Sequence, residues 1–431
     1  MAVTRSDADR AVEAVFRIES ARIIAAAARI VRDIGIAEEI AQDALVAALE
    51  QWPASGVPQR PGAWLMTTAR RRAIDLVRRR ETYARKLAEA GRELQDTHPP
   101  ADTTADTAVD CADSADTIDD DLLRLIFTAC HPVLATEART ALTLRLLGGL
   151  STGEIARAYL VPEATVAQRI VRAKRKLAAR AVPFEVPDEA ERGQRLASVL
   201  EVIYLVFNEG YSATAGEDWV RPALCEEALR LARVLAGLMP EEAEVQGLLA
   251  LLEIQASRIG ARVGTAGEAV LLADQNRGRW NQLLVRRGFA ALLRAGELDA
   301  RPGPYTLQAA IAACHAQAPT YEETDWHRIA ALYAALPPSP VTELNRAVAV
   351  SMAEGPAAGL AIVDVLAKEP PLSGYHLLPS VRGSLLERLG RDQEARAEYI
   401  RAADLTDNTA ERDLLLRRAG VDHRRPRHTQ T

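Results

Sequence analysis

Arginine is the residue whose placement in this chain first implies chemistry. Between Arg60 and Arg80 stand seven arginines and a single acid, Asp75. A guanidinium donates two parallel hydrogen bonds to anionic oxygens, so a cluster of this density suits phosphate. A second basic run, Arg169 to Arg180, holds six basic residues and no acid. A third patch is acidic: Glu38, Glu39, Gln42 and Asp43 lie at helical spacing near a helix start. The helix dipole stabilises carboxylates there, so the patch serves equally as structure or as a partner site. In Asn208-Glu209-Gly210-Tyr211 an amide, a carboxylate and a phenol cluster beside a glycine. That group reads as a ligand site or as a hydrogen-bonded turn, the turn being the plainer reading.

Catalytic chemistry finds little support. Cys130-His131 and Cys314-His315 set potential ligands side by side, yet no helix carries H-E-x-x-H and no cysteine pair has zinc spacing. A phosphate-cradling G-x-x-x-x-G-K-[ST] loop is also lacking. The reading is a protein that is not an enzyme and uses neither metal nor cofactor.

The elements that must position these side chains are helices. With 48% hydrophobic residues but only 4% aromatics, and with Ala, Leu and Arg prominent, the composition favours packed helices over β-rich folds. The fold class is all-α, and 431 residues imply several packed units. A net charge of -6 excludes a uniformly basic nucleic-acid coat, so phosphate contacts must come from local patches. Four scattered cysteines (Cys111, Cys130, Cys225, Cys314) and the lack of a secretory apolar core at the N-terminus point to the cytoplasm. No apolar run reaches the ~18 residues that would call for a membrane.

Helical periodicity predicts a first helix from about Asp7 to Asp33, a second from Ala37 to Gln51 and a third from Pro61, after a proline and glycine stretch from Pro53 to Gly62. On the third, Trp64, Leu65, Ala69, Ala73, Ile74 and Val77 form a stripe to be buried. Arg70, Arg71, Arg72, Arg78, Arg79 and Arg80 stay outside. These helices make a domain at 7–80. From Leu94 to Asp121 there are nine aspartates and no lysine or arginine, a composition that orders itself poorly, so 81–121 reads as an acidic linker.

Residues 122–182 contain a helix-turn-helix. Ser151 caps a helix with Glu154 at the capping-box position, Ile155 and Ala156 face inward, the turn falls at Tyr159 to Val161, and Pro162 opens the next helix. There Val166, Ile170, Ala173 and Leu177 line the core. Thr165, Gln168, Arg169, Arg172 and Arg175 face outward with donors that can read base edges. Residues 184–431 alternate short helical patterns with Gly and Pro turns, a helical-hairpin array of repeat-like character. Gly383, Leu386, Ala395, Tyr399 and Ala402 match the small and large positions of a tetratricopeptide unit, and Ala358, Ile362 and Val365 echo the last three thirty-seven positions earlier.

This ordered series of acidic helix, arginine helix, acidic linker and helix-turn-helix resembles a bacterial RNA polymerase sigma factor of the extracytoplasmic-function group, over residues 10 to 180. The resemblance implies that Asp33 to Trp52, with Glu38, Glu39, Gln42 and Asp43, binds core RNA polymerase. It implies that Trp64 through Arg79, with Trp64, Arg70, Arg71, Arg72, Arg78 and Arg79, meets the -10 element of promoter DNA. It implies that Leu144 to Leu177, with Thr165, Gln168, Arg169, Arg172 and Arg175, reads the -35 element. Trp64 serves either as part of a pocket for an unstacked base or as a core anchor. Arg71 stands where many members of the group carry asparagine, which leaves the base preference open.

The extension has its own resemblance. Leu122 to Pro132, Tyr204 to Tyr211, Pro304 to Ile311 and Leu344 to Val350 resemble the sigma subgroup with a long C-terminal tetratricopeptide-like domain. In that subgroup the extension is thought to control sigma activity, which implies a regulatory role for Asn208, Glu209 and Tyr211 and a regulatory protein as partner. A stand-alone helix-turn-helix activator with a helical sensor domain is the rival reading, and it leaves Arg60 to Arg80 unexplained. A scaffold that binds only proteins is the third, best suited to the extension alone.

Overall fold

Asp33 is the joint from which the N-terminal helices diverge. Its carboxylate accepts from the backbone N–H groups of Gly35 (2.7 Å) and Ile36 (3.0 Å), capping a new helix, while Arg32 before it takes the left-handed conformation. The computed structural model describes residues 5–93, 115–265, 268–369 and 372–421. Most of the expected acidic linker, with Cys111, lies outside the described residues.

Helix α1 (Arg5–Val31) therefore ends short of Asp33, and α2 (Ile34–Ser55) begins at once. Pro53 falls within the last turn of α2, and Gly56, at φ 83°, closes the helix through its N–H to the Trp52 carbonyl. Helix α3 (Pro61–Glu93) extends thirteen residues past the expected end at Arg80. Its residues from Arg78 to Ala88 are all exposed, so charged side chains in water carry the helix on after the apolar stripe stops. Alanines make the contact among the three: Ala25 to Ala28 of α1 and Ala37, Ala41, Ala44 and Ala48 of α2 are buried, with Leu65, Ala69 and Ala73 of α3. Small side chains let helix axes approach closely.

Helix α4 (Ala115–Ala129) starts inside the stretch expected to be unstructured linker and packs on α1. Its Asp121 is 1% exposed and paired with Arg29 of α1 (3.2 Å) and Arg124 (2.8 Å). Aspartate composition hid the start of this helix, because pairing with arginine lets an acid be buried. Helices α5 (Thr136–Leu146), α6 (Thr152–Tyr159) and α7 (Glu163–Ala179) follow.

The described chain forms two compact units, 1–202 and 203–431, which divide inside α8 (Glu189–Tyr211). The first half of α8 belongs with α4 and α5. Arg195 donates to the Phe127 carbonyl (3.1 Å), Ser198 to the Cys130 carbonyl (2.6 Å), and Arg139 to the Ser198 hydroxyl. The first unit thus reaches beyond the expected boundary at 183.

In the second unit the array is built from α9 (Pro222–Leu238), α10 (Ala243–Ala256), α11 (Gln282–Leu298), α12 (Pro304–Gln317), α13 (Trp326–Ala335), α14 (Pro340–Ala353), α15 (Pro356–Leu366), α16 (Leu377–Arg388), α17 (Asp392–Leu405) and α18 (Thr409–Arg418). Sequential helices pack on one another, most extensively α10 with α11, α14 with α15 and α16 with α17. The described strands are two dipeptides, β1 (Ala215–Gly216) and β2 (Asp407–Asn408), paired in parallel. Buried Asn408 adds donations to the carbonyls of Ala213 and Asp218, both 2.9 Å, so the two ends of this unit are stitched together.

The repeat echo falls one residue from where it was read. Val365 is 62% exposed, and Gly359, Val363 and Leu366 are buried instead, thirty-six positions before Ala395, Tyr399 and Ala402. Gly359 lies against the Ala347 carbonyl and Ser351, and Gly383 against the Tyr399 ring, so each hairpin closes over a glycine.

Candidate nucleic-acid and polymerase interface

Two basic helices and one acidic helix of the first unit carry the predicted site residues. On α3, the stripe is buried at Leu65, Ala69 and Ala73 and half-buried at Trp64, Ile74 and Val77. Opposite it, Arg71, Arg78, Arg79 and Arg80 are exposed. None of the four has an acidic partner among the described residues, so their guanidinium donors face water.

The remaining arginines of α3 differ. Arg70 is half-buried, and its charge reaches Asp121, where burial raises the carboxyl and Arg29, Arg124 and Arg70 oppose that rise. Arg70 is thus partly covered rather than fully outward as predicted. Arg72 is half-buried and pairs with Asp43 of α2 at 3.3 Å. Trp64 packs edge-on against the buried Trp52 ring, 5.5 Å between centroids, which anchors the start of α3 on the end of α2.

The acidic residues of α2 divide between two faces. Glu39 and Asp43 are exposed. Glu38 is only 5% exposed: its carboxylate accepts from Gln42 (3.0 Å), from Arg145 of α5 (2.6 Å) and from Lys174 of α7. Two cations and an amide offset the desolvation of one buried carboxylate. The exposed face also carries Val46 and Leu49, 50% and 39% accessible, which sequence reading passed over. Their apolar character at polar positions of the helix was the available signal. Arg145 and Lys174 were likewise missed as partners, since nothing local links them to Glu38.

The helix-turn-helix forms as read. Ser151 accepts from the Glu154 N–H (3.1 Å) and the Glu154 carboxylate accepts from the Ser151 N–H (2.8 Å). Leu160 turns the chain in the left-handed conformation, at φ 49°, and Pro162 caps α7. Ile155, Ala156, Val166, Ile170, Ala173 and Leu177 are all buried. Among the predicted reading residues, Gln168, Arg172 and Arg175 are exposed, while Thr165 and Arg169 are half-buried. The two histidine-cysteine pairs are packed structure. The Cys130 thiol contacts the Thr143 hydroxyl at 3.3 Å and burial raises it to about 11, while His131 Nδ1 accepts from the Val133 N–H. Among the described residues no cluster of three or more His, Cys, Asp or Glu side chains is placed to hold a metal.

In the second unit Asn208-Glu209-Gly210-Tyr211 splits between two jobs. Glu209 pairs with Arg221 and accepts from the Thr214 hydroxyl (2.9 Å), the hydrogen-bonded turn of the plainer reading. Gly210 presses against the backbone of α9, so that a Cβ would stand 2.7 Å from the Cys225 nitrogen. Asn208 and Tyr211 instead line a cavity.

Capping box, left-handed turn and basic second helix define a helix-turn-helix protein. Comparison with known proteins narrows the class. Residues 15–83 match the Sigma-70 region 2 family and 124–177 the Sigma-70, region 4 family, while 195–296 match a family of unknown function, DUF6596. An uncharacterized protein of Rhizobium meliloti (strain 1021) is 45% identical over 405 residues, covering 92% of this chain and 91% of that protein. The ECF RNA polymerase sigma factor SigK of Mycobacterium sp. (strain KMS) is 28% identical over 172 residues, covering 39% of this chain and 81% of its own length. SigK of Mycobacterium tuberculosis (strain ATCC 25177 / H37Ra) is 31% identical over 160 residues, 36% of this chain and 78% of its own. The chain belongs to the sigma-70 family as an ECF-like sigma factor, with a role in transcription initiation. No described helix is long and apolar enough to cross a membrane.

Proposed function

We propose that this sigma factor, working in the cytoplasm, binds core RNA polymerase through the exposed face of α2, meets the -10 element with α3 and reads the -35 element with α7. The observation that carries the reading is the row Arg71, Arg78, Arg79 and Arg80, exposed and without acidic partners among the described residues, opposite a buried stripe. Such a row is suited to phosphate binding. On α7, Gln168, Arg172 and Arg175 offer donors to a major groove. Neither contact needs high affinity, because polymerase links them in one complex. On α2, Glu39 and Asp43 flank Val46 and Leu49, an apolar patch with an acidic rim suited to a protein partner.

The test is whether the purified chain co-elutes with core polymerase and starts transcription from a promoter with both elements. Specific duplex binding with no binding to core would reject the reading in favour of a stand-alone activator.

In this reading the helical extension controls the sigma unit. Because Arg195 and Ser198 hold the carbonyls of Phe127 and Cys130, the informative truncation lies after Val202 rather than after Pro183. A gain of promoter-directed transcription marks the extension as an inhibitor, and a loss marks it as required; an unchanged level rejects control.

A further inference from the structure

Three motifs of the extension, at Tyr204 to Tyr211, Pro304 to Ile311 and Leu344 to Val350, have no part in the promoter reading, yet they meet. A cavity of about 430 Å³ in the second unit is lined by residues of all three, together with α10 and the turn from α13 to α14. That volume lies within the range of about 300–1,000 Å³ usual for ligand sites.

The lining is neutral, with no Asp, Glu, Lys, Arg or His among its residues. Its polar groups are the hydroxyls of Tyr204, Tyr211, Tyr333, Ser339 and Thr342 and four primary carboxamides on four helices: Asn208, Gln255, Gln308 and Asn345. Gln308 spends its carbonyl oxygen on the Tyr204 hydroxyl (2.9 Å) and Gln255 on Arg258 (3.0 Å), which leaves their N–H₂ donors. Asn208 and Asn345 make no side-chain hydrogen bond with any described residue, and neither is buried. The walls between are flat and fixed. Tyr211 stacks on Phe207, 5.6 Å between centroids, with the Arg262 guanidinium 3.8 Å from the Tyr211 ring centroid, and Pro337 and Pro338 of the turn from α13 to α14 add to the lining.

We propose that this cavity binds a short, neutral, extended peptide segment of a partner protein. A primary carboxamide has one acceptor and two donors, and so pairs with a peptide group in both directions. An extended strand presents such groups at ~3.3 Å per residue, and rings and prolines offer surface for its apolar side chains. No formally charged side chain lines the cavity to pair with a phosphate or hold a metal ion, which favours a neutral occupant. Val341 (43% exposed) and Asn345 leave the cavity open along α14, which suits a chain that enters and leaves better than an enclosed metabolite. The inference does not depend on the promoter reading, because binding requires neither polymerase nor DNA.

The test uses the full-length chain and a displayed library of random dodecapeptides, counter-selected against the double variant Asn208→Ala/Asn345→Ala. Selected peptides should be neutral and should bind the parent chain equally at low and high salt. Their binding should weaken at least tenfold in Asn345→Ala and in Asn345→Asp, which keeps the shape and removes the donors. Asn345 is exposed, so both variants retain the fold, as a thermal melt will verify. Failure to enrich any peptide, enrichment of charged peptides with salt-sensitive binding, or equal binding by the variants would each overturn the proposal.

Discussion

Glu38 and Lys174, 136 residues apart, form an ion pair that joins α2 to α7. Arg145 holds the other carboxylate oxygen, so a residue predicted to face polymerase is engaged within the first unit by the helix-turn-helix region. Glu38→Gln should leave two partly buried cations underpaired and destabilise this unit by about 1–3 kcal/mol. Lys174→Met in the same background should cost far less than the two changes measured separately. Denaturant titration of the four proteins reads the coupling, and strict additivity would show the pair to be idle.

Arg78→Ala/Arg79→Ala removes two exposed charges that have no acidic partner among the described residues. Thermal stability should change by no more than about 0.5 kcal/mol. Affinity for promoter DNA in the polymerase complex should fall, with the salt dependence of log affinity reduced by roughly 1 per arginine. Open-complex formation should suffer more than core binding. Equal loss of both would make the helix end structural.

Ser151→Ala removes the hydroxyl that accepts from the Glu154 N–H and keeps the backbone N–H that donates to the Glu154 carboxylate. We expect a loss of about 1 kcal/mol in the first unit, with Ser151→Asn losing little. Amide exchange along α6 is the direct measurement, faster near Glu154 in the alanine variant only.

Gly210→Ala should destabilise the second unit by about 1–3 kcal/mol, since the added methyl meets backbone and the Leu224 Cβ rather than a movable chain end. Gly237→Ala, with nothing within 4 Å, is the matched control and should be neutral or stabilising. Denaturant midpoints compare the two.

His315 supplies a pH dependence. Burial, followed by the charges of Arg258 and Arg277, lowers it to about 3, against about 6.5 in an unfolded chain. A depressed histidine contributes stability that is complete above the unfolded value and is lost as pH falls toward the folded one. Between pH 6.5 and 5 the parent chain should lose about 1.5–2 kcal/mol more than His315→Leu. Parallel curves for the two proteins would show that the ring is not held neutral.

The helix-turn-helix was legible to the residue, because a capping box, an apolar stripe and a proline start are local signals. The arginine face of α3 was legible in type but not in extent. Its stripe ends near Val77 and the helix runs on to Glu93, for exposed helices need no apolar face once nucleated. The start of α4, up to Asp121, was read as linker because a count of aspartates cannot reveal that Arg29 waits for Asp121.

Sequence alone determined the helical class, the basic faces of α3 and α7 and the capped turn between α6 and α7, since each depends on residues within two or three turns of one another. Only the tertiary structure decided that Glu38 turns inward while Glu39 and Asp43 stay out, that Arg70 is half-buried, and that three separate motifs of the extension line one cavity. Burial and charge pairing arise between segments far apart in the chain, and no local period records which distant side chain will arrive.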